Sequence, residues 1–324
     1  MVAQKKVPLD ISNKNIVGTV IGGTAIFSFI VIWMSSIASP LLFYASIQHQ
    51  NYAIATLIFV LVICAYVPWK KGFISKNFTA FVSYTAFYYK RCSITFEGSS
   101  LPEDSKTPVF YAVHPHGAFC LGWSALFIAP FMSSVRFCFS PVLYFSPFFK
   151  LWSRMTGNPG RADKEAMIQY MEKGEHLALP PGGFEEATLT SPAQDRVYIK
   201  NRLGFIKLCL MHGYSVVPVY CFGENYTFNN AQGLWKMRLG MNSLGIPTIL
   251  IWGASFFPLL PKRHEYGLYI VAGEPLVLPK VEKPSREDVK MWHDKYIAAL
   301  TRVFEEHKCD AYGEEGKTKK LELW

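Results

Sequence analysis

The chain has 324 residues, 50% hydrophobic and 15% aromatic, with a formal net charge of +9 and a pI near 9.1. That length can bury a sizeable core, and the basic balance favours an anionic partner: nucleic acid, anionic lipid headgroups or a polyphosphate cofactor. The apolar excess, with no metal-finger spacing and no helix-turn-helix signature, argues against nucleic acid. Seven scattered cysteines, never paired as CxxC, suit a reduced compartment and neither a disulfide scaffold nor a zinc site.

Residues 1–14 are expected to be a cytosolic N-terminus. Residues 15–69 hold no Lys, Arg, Asp or Glu, long enough for two membrane spans at about 20 residues each. The division falls at 16–37 and 52–68, with Pro40 and the polar Gln48-His49-Gln50-Asn51 between. Cations flank the run on both sides (Lys5, Lys6 and Lys14; Lys70, Lys71 and Lys76) and are absent from the turn. Both ends therefore face the cytosol, as a transmembrane helical hairpin that crosses or re-enters the bilayer. A cleaved signal peptide is the alternative for the first segment. Residues 70–108 alternate Lys and Arg with Trp69, Phe73, Phe78, Phe81, Tyr84 and their neighbours. This is a basic, aromatic connector for the headgroup layer or an amphipathic helix packed on the body.

From 109 the pattern alternates. Strands are predicted at 109–113, 176–179, 216–222, 248–252 and 268–272, and helices at 118–129, 163–173, 197–212 and 286–308. The last helix has helical apolar spacing behind a Ser285-x-x-Asp288 capping box. Alternation of this kind predicts an α/β body, residues 109–309, with a mixed, mostly parallel sheet and flanking helices. The aromatic run at 127–152 reads equally as core or as a membrane-dipping surface. The polar tail, 310–324, is expected to be loose.

Three stretches carry chemistry, and a fourth follows them. His114-Pro115-His116-Gly117 closes the first strand. Pro115 lacks an amide hydrogen and biases His114 towards an extended backbone, and Gly117 permits a tight turn. The bend offers backbone amides as anion donors; two ordinary loop histidines are the bland alternative. Gly182-Gly183-Phe184-Glu185-Glu186 follows another strand: the glycines allow close backbone approach to a ligand, and a carboxylate there can orient an imidazole or simply open a helix. Lys200, Arg202 and Lys207 put three cations in eight residues, of which Arg202 and Lys207 reach a phosphate chain or belong to a solvated face. Residues 216–224 look like scaffold. With no Gly-x-Ser-x-Gly elbow and no cysteine in a nucleophile setting, direct transfer is favoured: a His takes a proton from an acceptor hydroxyl that attacks an activated acyl group, with amides at the bend holding the oxyanion. A polyanionic acyl carrier such as coenzyme A accounts for the basic excess, and a lipid acceptor for the membrane.

His114-Pro115-His116-Gly117, Gly182-Gly183-x-x-Glu186, Arg202-x-Gly204-Phe205-x-Lys207 with Val217-Pro218 and Phe222-Gly223-Glu224-Asn225, and Gly273-Glu274-Pro275 occur in that order over about 160 residues. The chain thereby resembles the type-2 diacylglycerol acyltransferase family with its monoacylglycerol and wax-ester relatives, from about residue 69 to the end. The resemblance implies a glycerolipid-acyltransferase-like fold. It also implies a membrane enzyme of the endoplasmic reticulum or lipid droplet, cytosolic in its catalytic part. Acyl-CoA would be the co-substrate and diacylglycerol the acceptor, without metal or resident cofactor; a homo-oligomer is compatible with it. By resemblance His116 is the base, His114 its neighbour and Glu186 an orienting acid, with Gly117, Gly182, Gly183, Arg202, Gly204, Phe205 and Lys207 lining the substrate site. Arg202 and Lys207 would lie near the coenzyme A phosphates. The chain departs from the family at Tyr88-Tyr89-Lys90, where Tyr-Phe-Pro is common, and at residues 156–164. The rival readings are the same chemistry on monoacylglycerol or a long-chain alcohol, a non-catalytic lipid-binding scaffold, and a hydrolase.

Overall fold

The run Val109–His114 is a strand buried at all six positions, as expected of a strand covered on both faces. Its odd and even side chains enter different cores. Val109, Tyr111 and Val113 join one apolar cluster, Phe110 and Ala112 the other, the period-two division a pleated strand imposes. The computed structural model describes residues 5–12, 15–67 and 76–324. Lys14, Pro68, Trp69, Lys70, Lys71 and Phe73, on which the membrane flanks and the connector partly rest, lie outside the described residues.

In chain order the strands are β1 (Lys5–Ser12), β2 (Arg91–Glu97), β3 (Val109–His114), β4 (Arg136–Phe139), β5 (Pro159–Arg161), β6 (Leu177–Leu179), β7 (Asp195–Val197), β8 (Ser215–Phe222), β9 (Asn229–Asn230), β10 (Ile251–Trp252), β11 (Leu268–Ala272), β12 (Leu276–Val277) and β13 (Leu321–Leu323). Among the described residues a nine-stranded sheet runs β1-β2-β11-β8-β3-β6-β4-β5, with β12 beside β8. Strands β8, β3, β6, β4 and β5 are mutually parallel. The β11–β8, β12–β8 and β1–β2 pairs are antiparallel, so the sheet is mixed.

The helices are α1 (Ile16–Gln48), α2 (Tyr52–Tyr66), α3 (Lys76–Ser83), α4 (Thr85–Tyr88), α5 (Leu121–Phe127), α6 (Pro141–Phe145), α7 (Pro147–Thr156), α8 (Lys164–Glu172), α9 (Gly183–Leu189), α10 (Gly204–His212), α11 (Trp235–Ser243) and α12 (Arg286–Tyr312). One face of the sheet packs on α1, α4, α5 and α7, the other on α8, α10 and α12. The capping box at Ser285 and Asp288 forms as the sequence predicts.

Several expectations change. Residues 91–97 are not connector but β2, buried at six of seven positions between β1 and β11; Cys92, Ile94 and Phe96 face one core in alternation. The sheet therefore reaches outside 109–309, and Lys5 and Lys6 belong to its edge strand, where Lys6 Nζ meets the Asp104 carboxylate at 2.7 Å. The helix expected at 197–212 begins only at Gly204, because residues 195–197 pair with the C-terminal residues 321–323. The tail is thus tied down: the Trp324 carbonyl accepts from the amides of Ile199 and Lys200 at 3.0 and 2.8 Å. Of 248–252 only Ile251–Trp252 is strand, paired with Asn229–Asn230 outside the main sheet. In the aromatic run, Phe127, Phe137, Phe139, Phe149 and Trp152 are core, while Val142 and Phe145 are exposed.

Helix α1 continues through Pro40 to Gln48, and the turn to α2 falls at the polar residues, with Gln50 at φ +54° and the Asn51 side chain capping α2. Ile16–Ser36 is long and apolar enough to cross a membrane; α2, at 15 residues, is shorter than the ~20 a full span needs. Ile26, Phe29 and Ile30 of α1 sit in the sheet's own core.

Candidate active site

Three neighbouring parallel strands end on one edge of the sheet. Strand β3 ends at His114, β6 at Leu179 and β8 at Phe222, with Ala112 opposite Leu179 and His114 opposite Tyr220. The turns that follow bring together His116, Glu186 and Glu224, residues far apart in the chain. This edge, outside the carboxyl ends of parallel strands, is where open α/β sheets place ligands.

His114 is fully buried. Its Nδ1–H donates to the Glu186 carboxylate at 3.0 and 3.1 Å, and its Nε2 accepts from the Tyr296 hydroxyl at 3.0 Å; burial holds the Tyr296 pKa well above its ordinary value, so that hydroxyl keeps its proton. Both ring nitrogens are therefore occupied inside the protein. Glu186, also fully buried, accepts in addition from the backbone amides of His116 at 2.6 Å and Tyr198 at 2.9 Å. It thereby holds the backbone of one histidine and the ring of the other. Gly182 and Gly183 serve this arrangement. A Cβ on Gly182 would lie 2.0 Å from a Glu186 carboxylate oxygen, and Gly183 has φ +59°, so the close approach that the Gly-Gly pair permits is to Glu186 itself.

His116 is only partly buried. Its Nδ1–H donates to the Gly117 carbonyl at 2.9 Å, which leaves the lone pair on Nε2 without a partner among the described residues. Burial lowers its pKa, outweighing the opposing influence of the Gly117 carbonyl and Glu186, so the imidazole is already neutral at the pH where an ordinary histidine is half protonated. Fixing the proton on one nitrogen defines the basic character of the other.

Behind the turn lies Glu224, fully buried, whose carboxylate accepts from the amides of Leu121 at 3.1 Å and Gly122 at 2.7 Å. Gly117, at φ +61°, passes so near that a Cβ would sit 2.1 Å from a Glu224 oxygen. Burial raises the Glu224 pKa to about 7 against the pull of the two amides. These contacts correct the expectation that the amides of the bend are free: those of His116, Leu121 and Gly122 are already taken by carboxylates. The Gly117 and Ala118 amides carry no hydrogen bond among the described residues. The nearby thiols of Cys120 and Cys221 are pushed well up by burial, which makes them poor nucleophiles.

The basic block divides. Arg202 forms an ion pair with Glu185, its guanidinium donates to the Gly182 carbonyl at 3.4 Å, and it lies 5.1 Å from the Tyr198 ring centroid. Lys207 is exposed on α10 and in no ion pair among the described residues. Gly204 opens α10 with free space where a Cβ would be. Phe205 is buried, stacked on Phe110 at 5.5 Å and edge-on to Tyr296 at 5.1 Å, the residue that closes on His114. Tyr296 and Glu224 are the site residues that sequence reasoning missed. Tyr296 carried one signal, a hydroxyl on the apolar stripe of a helix; Glu224 carried another, an acid directly after a wholly apolar strand and a glycine.

Fold and site define a class: an α/β protein with a neutral imidazole at a parallel strand end, backed by buried carboxylates and joined to a long apolar helix. A family model for diacylglycerol acyltransferase matches residues 44–323, and the chain belongs to that family. It is similar to a mouse (Mus musculus) diacylglycerol O-acyltransferase 2-like protein 6, with 30% identity over 229 residues, 62% of this chain and 66% of the relative. It is also similar to a diacylglycerol O-acyltransferase 2 of Xenopus laevis, 28% identical over 61% of this chain and 60% of the relative. A human (Homo sapiens) acyl-CoA wax alcohol acyltransferase 2 is 27% identical over 60% of this chain and 64% of the relative. The chain thus spans less than two thirds of the length of each of these relatives. No solved structure matches it.

Proposed function

We propose that the chain is an acyl-CoA-dependent O-acyltransferase that passes a fatty acyl group to the free hydroxyl of diacylglycerol, making triacylglycerol. The observation that carries this reading is His116, whose Nδ1 proton is committed to Gly117 while a neutral Nε2 is left open. That nitrogen removes the proton from the acceptor hydroxyl as its oxygen attacks the thioester carbonyl. The Gly117 and Ala118 amides are the donors for the resulting oxyanion. When the carbon–sulfur bond breaks, the imidazolium returns its proton to the departing thiolate, giving the ester and free coenzyme A. The step balances with the two substrates and these side chains alone.

Glu186 and His114 act as positioning groups, since neither has a free atom to offer a substrate: Glu186 grips the His116 amide and Tyr296 closes the chain behind His114. Lys207, exposed and unpaired among the described residues, and Arg202, which would exchange Glu185 for a phosphate, receive the coenzyme A phosphates. Helices α1 and α2 hold the protein in the membrane of the endoplasmic reticulum or a lipid droplet, with the sheet on the cytosolic side. A long-chain alcohol is the competing acceptor, favoured by the likeness to the human wax alcohol acyltransferase.

Membranes containing the full chain, incubated with labelled acyl-CoA and a panel of diacylglycerol, monoacylglycerol and long-chain alcohol, test the reading. Labelled triacylglycerol as the main product is the expected result. A labelled wax ester instead would move the acceptor, and free fatty acid or no product would remove the transferase reading.

A further inference from the structure

Residues 239–261 contain no Asp, Glu, Lys or Arg, a second uncharged run far from the N-terminal one. It does not build a long helix: α11 ends at Ser243, and Gly245 and Pro247 follow in irregular chain. Its polarity is inverted. On α11, Arg238 and Asn242, one helical turn apart, are 5% and 4% exposed. Arg238 donates to the Thr248 carbonyl at 2.7 Å and to Asn230 Oδ1 at 3.3 Å. Asn242 Nδ2 donates to Thr188 Oγ1 at 2.7 Å and to the Phe184 carbonyl at 3.1 Å, both on α9, the helix that carries Glu186. Leu234, Met237, Leu244, Leu250, Trp252 and Phe256 are exposed, Leu244 at 78% and Phe256 at 83%.

A surface helix in water buries its apolar stripe and shows its polar one; this segment does the reverse. Exposed apolar side chains gathered in one segment mark an interaction site, and what covers them follows from what the segment joins. The Phe257 ring packs edge-on against Phe27 of α1 at 5.0 Å. Phe256, Phe257 and Leu260 share with Val20 and Phe27 an open groove of about 430 Å³, so the surface is continuous with the helix long and apolar enough to cross a membrane. Exposed Lys236 and Arg263 stand at its two ends, where cations meet anionic headgroups.

We propose that residues 234–257 are a second bilayer contact, lying in the headgroup–acyl boundary beside α1, which sets the Glu186 edge of the site against the lipid. Irregular backbone is not tolerated bare in hydrocarbon, so the chain stays at the boundary while its side chains point inward. The buried Arg238 and Asn242 satisfy the carbonyls and amides that would otherwise face lipid. The contact itself does not depend on the acyltransfer reading; its role as the entry for a lipid acceptor rests on it.

The test uses the full-length protein in phosphatidylcholine–phosphatidylserine vesicles doped with a phospholipid carrying a photoactivatable diazirine on its acyl chain, with adducts mapped by mass spectrometry. Adducts are expected in residues 234–257 as well as in α1 and α2. Leu244→Ser with Phe256→Ser, both at exposed positions outside the catalytic machinery, should cut the 234–257 adducts by about fivefold or more while α2 labels as before. The same pair should raise KM for vesicle-borne diacylglycerol and leave KM for acyl-CoA unchanged. Adducts confined to α1 and α2, or the segment cross-linked to a second copy in place of lipid, would overturn the proposal. Labelling requires no turnover, so a labelled segment in a protein without transferase activity would sink only the acyltransfer reading.

Discussion

His114 and His116 are two residues apart and differ in almost every physical respect. The first has both nitrogens engaged by Glu186 and Tyr296; the second has one nitrogen engaged by Gly117 and one open. His116→Ala should therefore lower transfer by at least about a hundredfold, the usual cost of losing a general base, while the protein stays in membranes; a near-normal rate would remove His116 from that role. Glu224 supplies a second expectation, one of pH. Burial sets its pKa at about 7, above the ordinary 4.5, so its contribution to stability is full below pH 4.5 and is lost as pH rises through 7. Activity has the opposite sign, because only the ionised carboxylate fully holds the Leu121 and Gly122 amides. The transfer rate should fall as pH drops through about 7, before the His116 limb, which lies below that histidine's ordinary 6.5. Glu224→Gln should abolish the upper limb and lower the rate at pH 8 by roughly tenfold, as for loss of a charge-assisted hydrogen bond. A limb at pH 7 that survives the substitution would assign it elsewhere.

Among the elements, α1 combines two properties that compete for the same surface. It is apolar enough for a membrane, yet Gly22 lies so close to α4 that a Cβ there would sit 2.5 Å from the Tyr84 carbonyl oxygen and 2.6 Å from the Tyr88 amide nitrogen. Gly22→Val should cost about 1–3 kcal/mol, the range for overpacking, read as a lowered Tm in detergent; an unchanged Tm would mean that α1 is not seated on α4 in the solubilised protein. Element β2 shows why a buried strand was read as connector. Ser93, Thr95 and Glu97 are buried as fully as Cys92, Ile94 and Phe96, and polar residues in every second position mask the apolar alternation. Glu97 is accommodated by its partners: burial alone raises its pKa, but hydrogen bonds from His307 and Arg302 outweigh that and bring it down to about 2.

For the molecule as a whole, the apolar N-terminal helix and the sheet share one core, with Phe29 of α1 in ring contact with Trp152 at 4.8 Å and Phe149 at 6.3 Å. Removing residues 15–69 should therefore do more than weaken membrane attachment. It uncovers the α7 aromatics and the α4 face, so the remainder should aggregate on release from detergent, measured by sedimentation. A stable, monomeric, soluble remainder would show that the core closes without α1.

What was legible in the sequence follows from how local each cause is. Strand β11 falls at residues 268–272 as predicted and β3 one residue beyond its predicted end, because an uninterrupted apolar run is enough to mark a strand buried on both faces. Helix α12 begins where Ser285 and Asp288 cap each other, an interaction three residues long. The His-Pro-His-Gly stretch and its order relative to the later blocks were also there to read, and with them the family. Which histidine has a free nitrogen was not, since that depends on Glu186 and Tyr296, 72 and 182 residues away from His114. The fate of the bend's amides was decided likewise by Glu224, 102 residues from Gly122. Strand β7 owes its partner to the end of the chain, and the inverted face of α11 owes its buried Arg238 and Asn242 to α9 and the loops beside it. Residue type and spacing set the menu of chemistry in this protein; contacts between distant segments, which alone fix burial and hydrogen-bond partners, assigned each group its part.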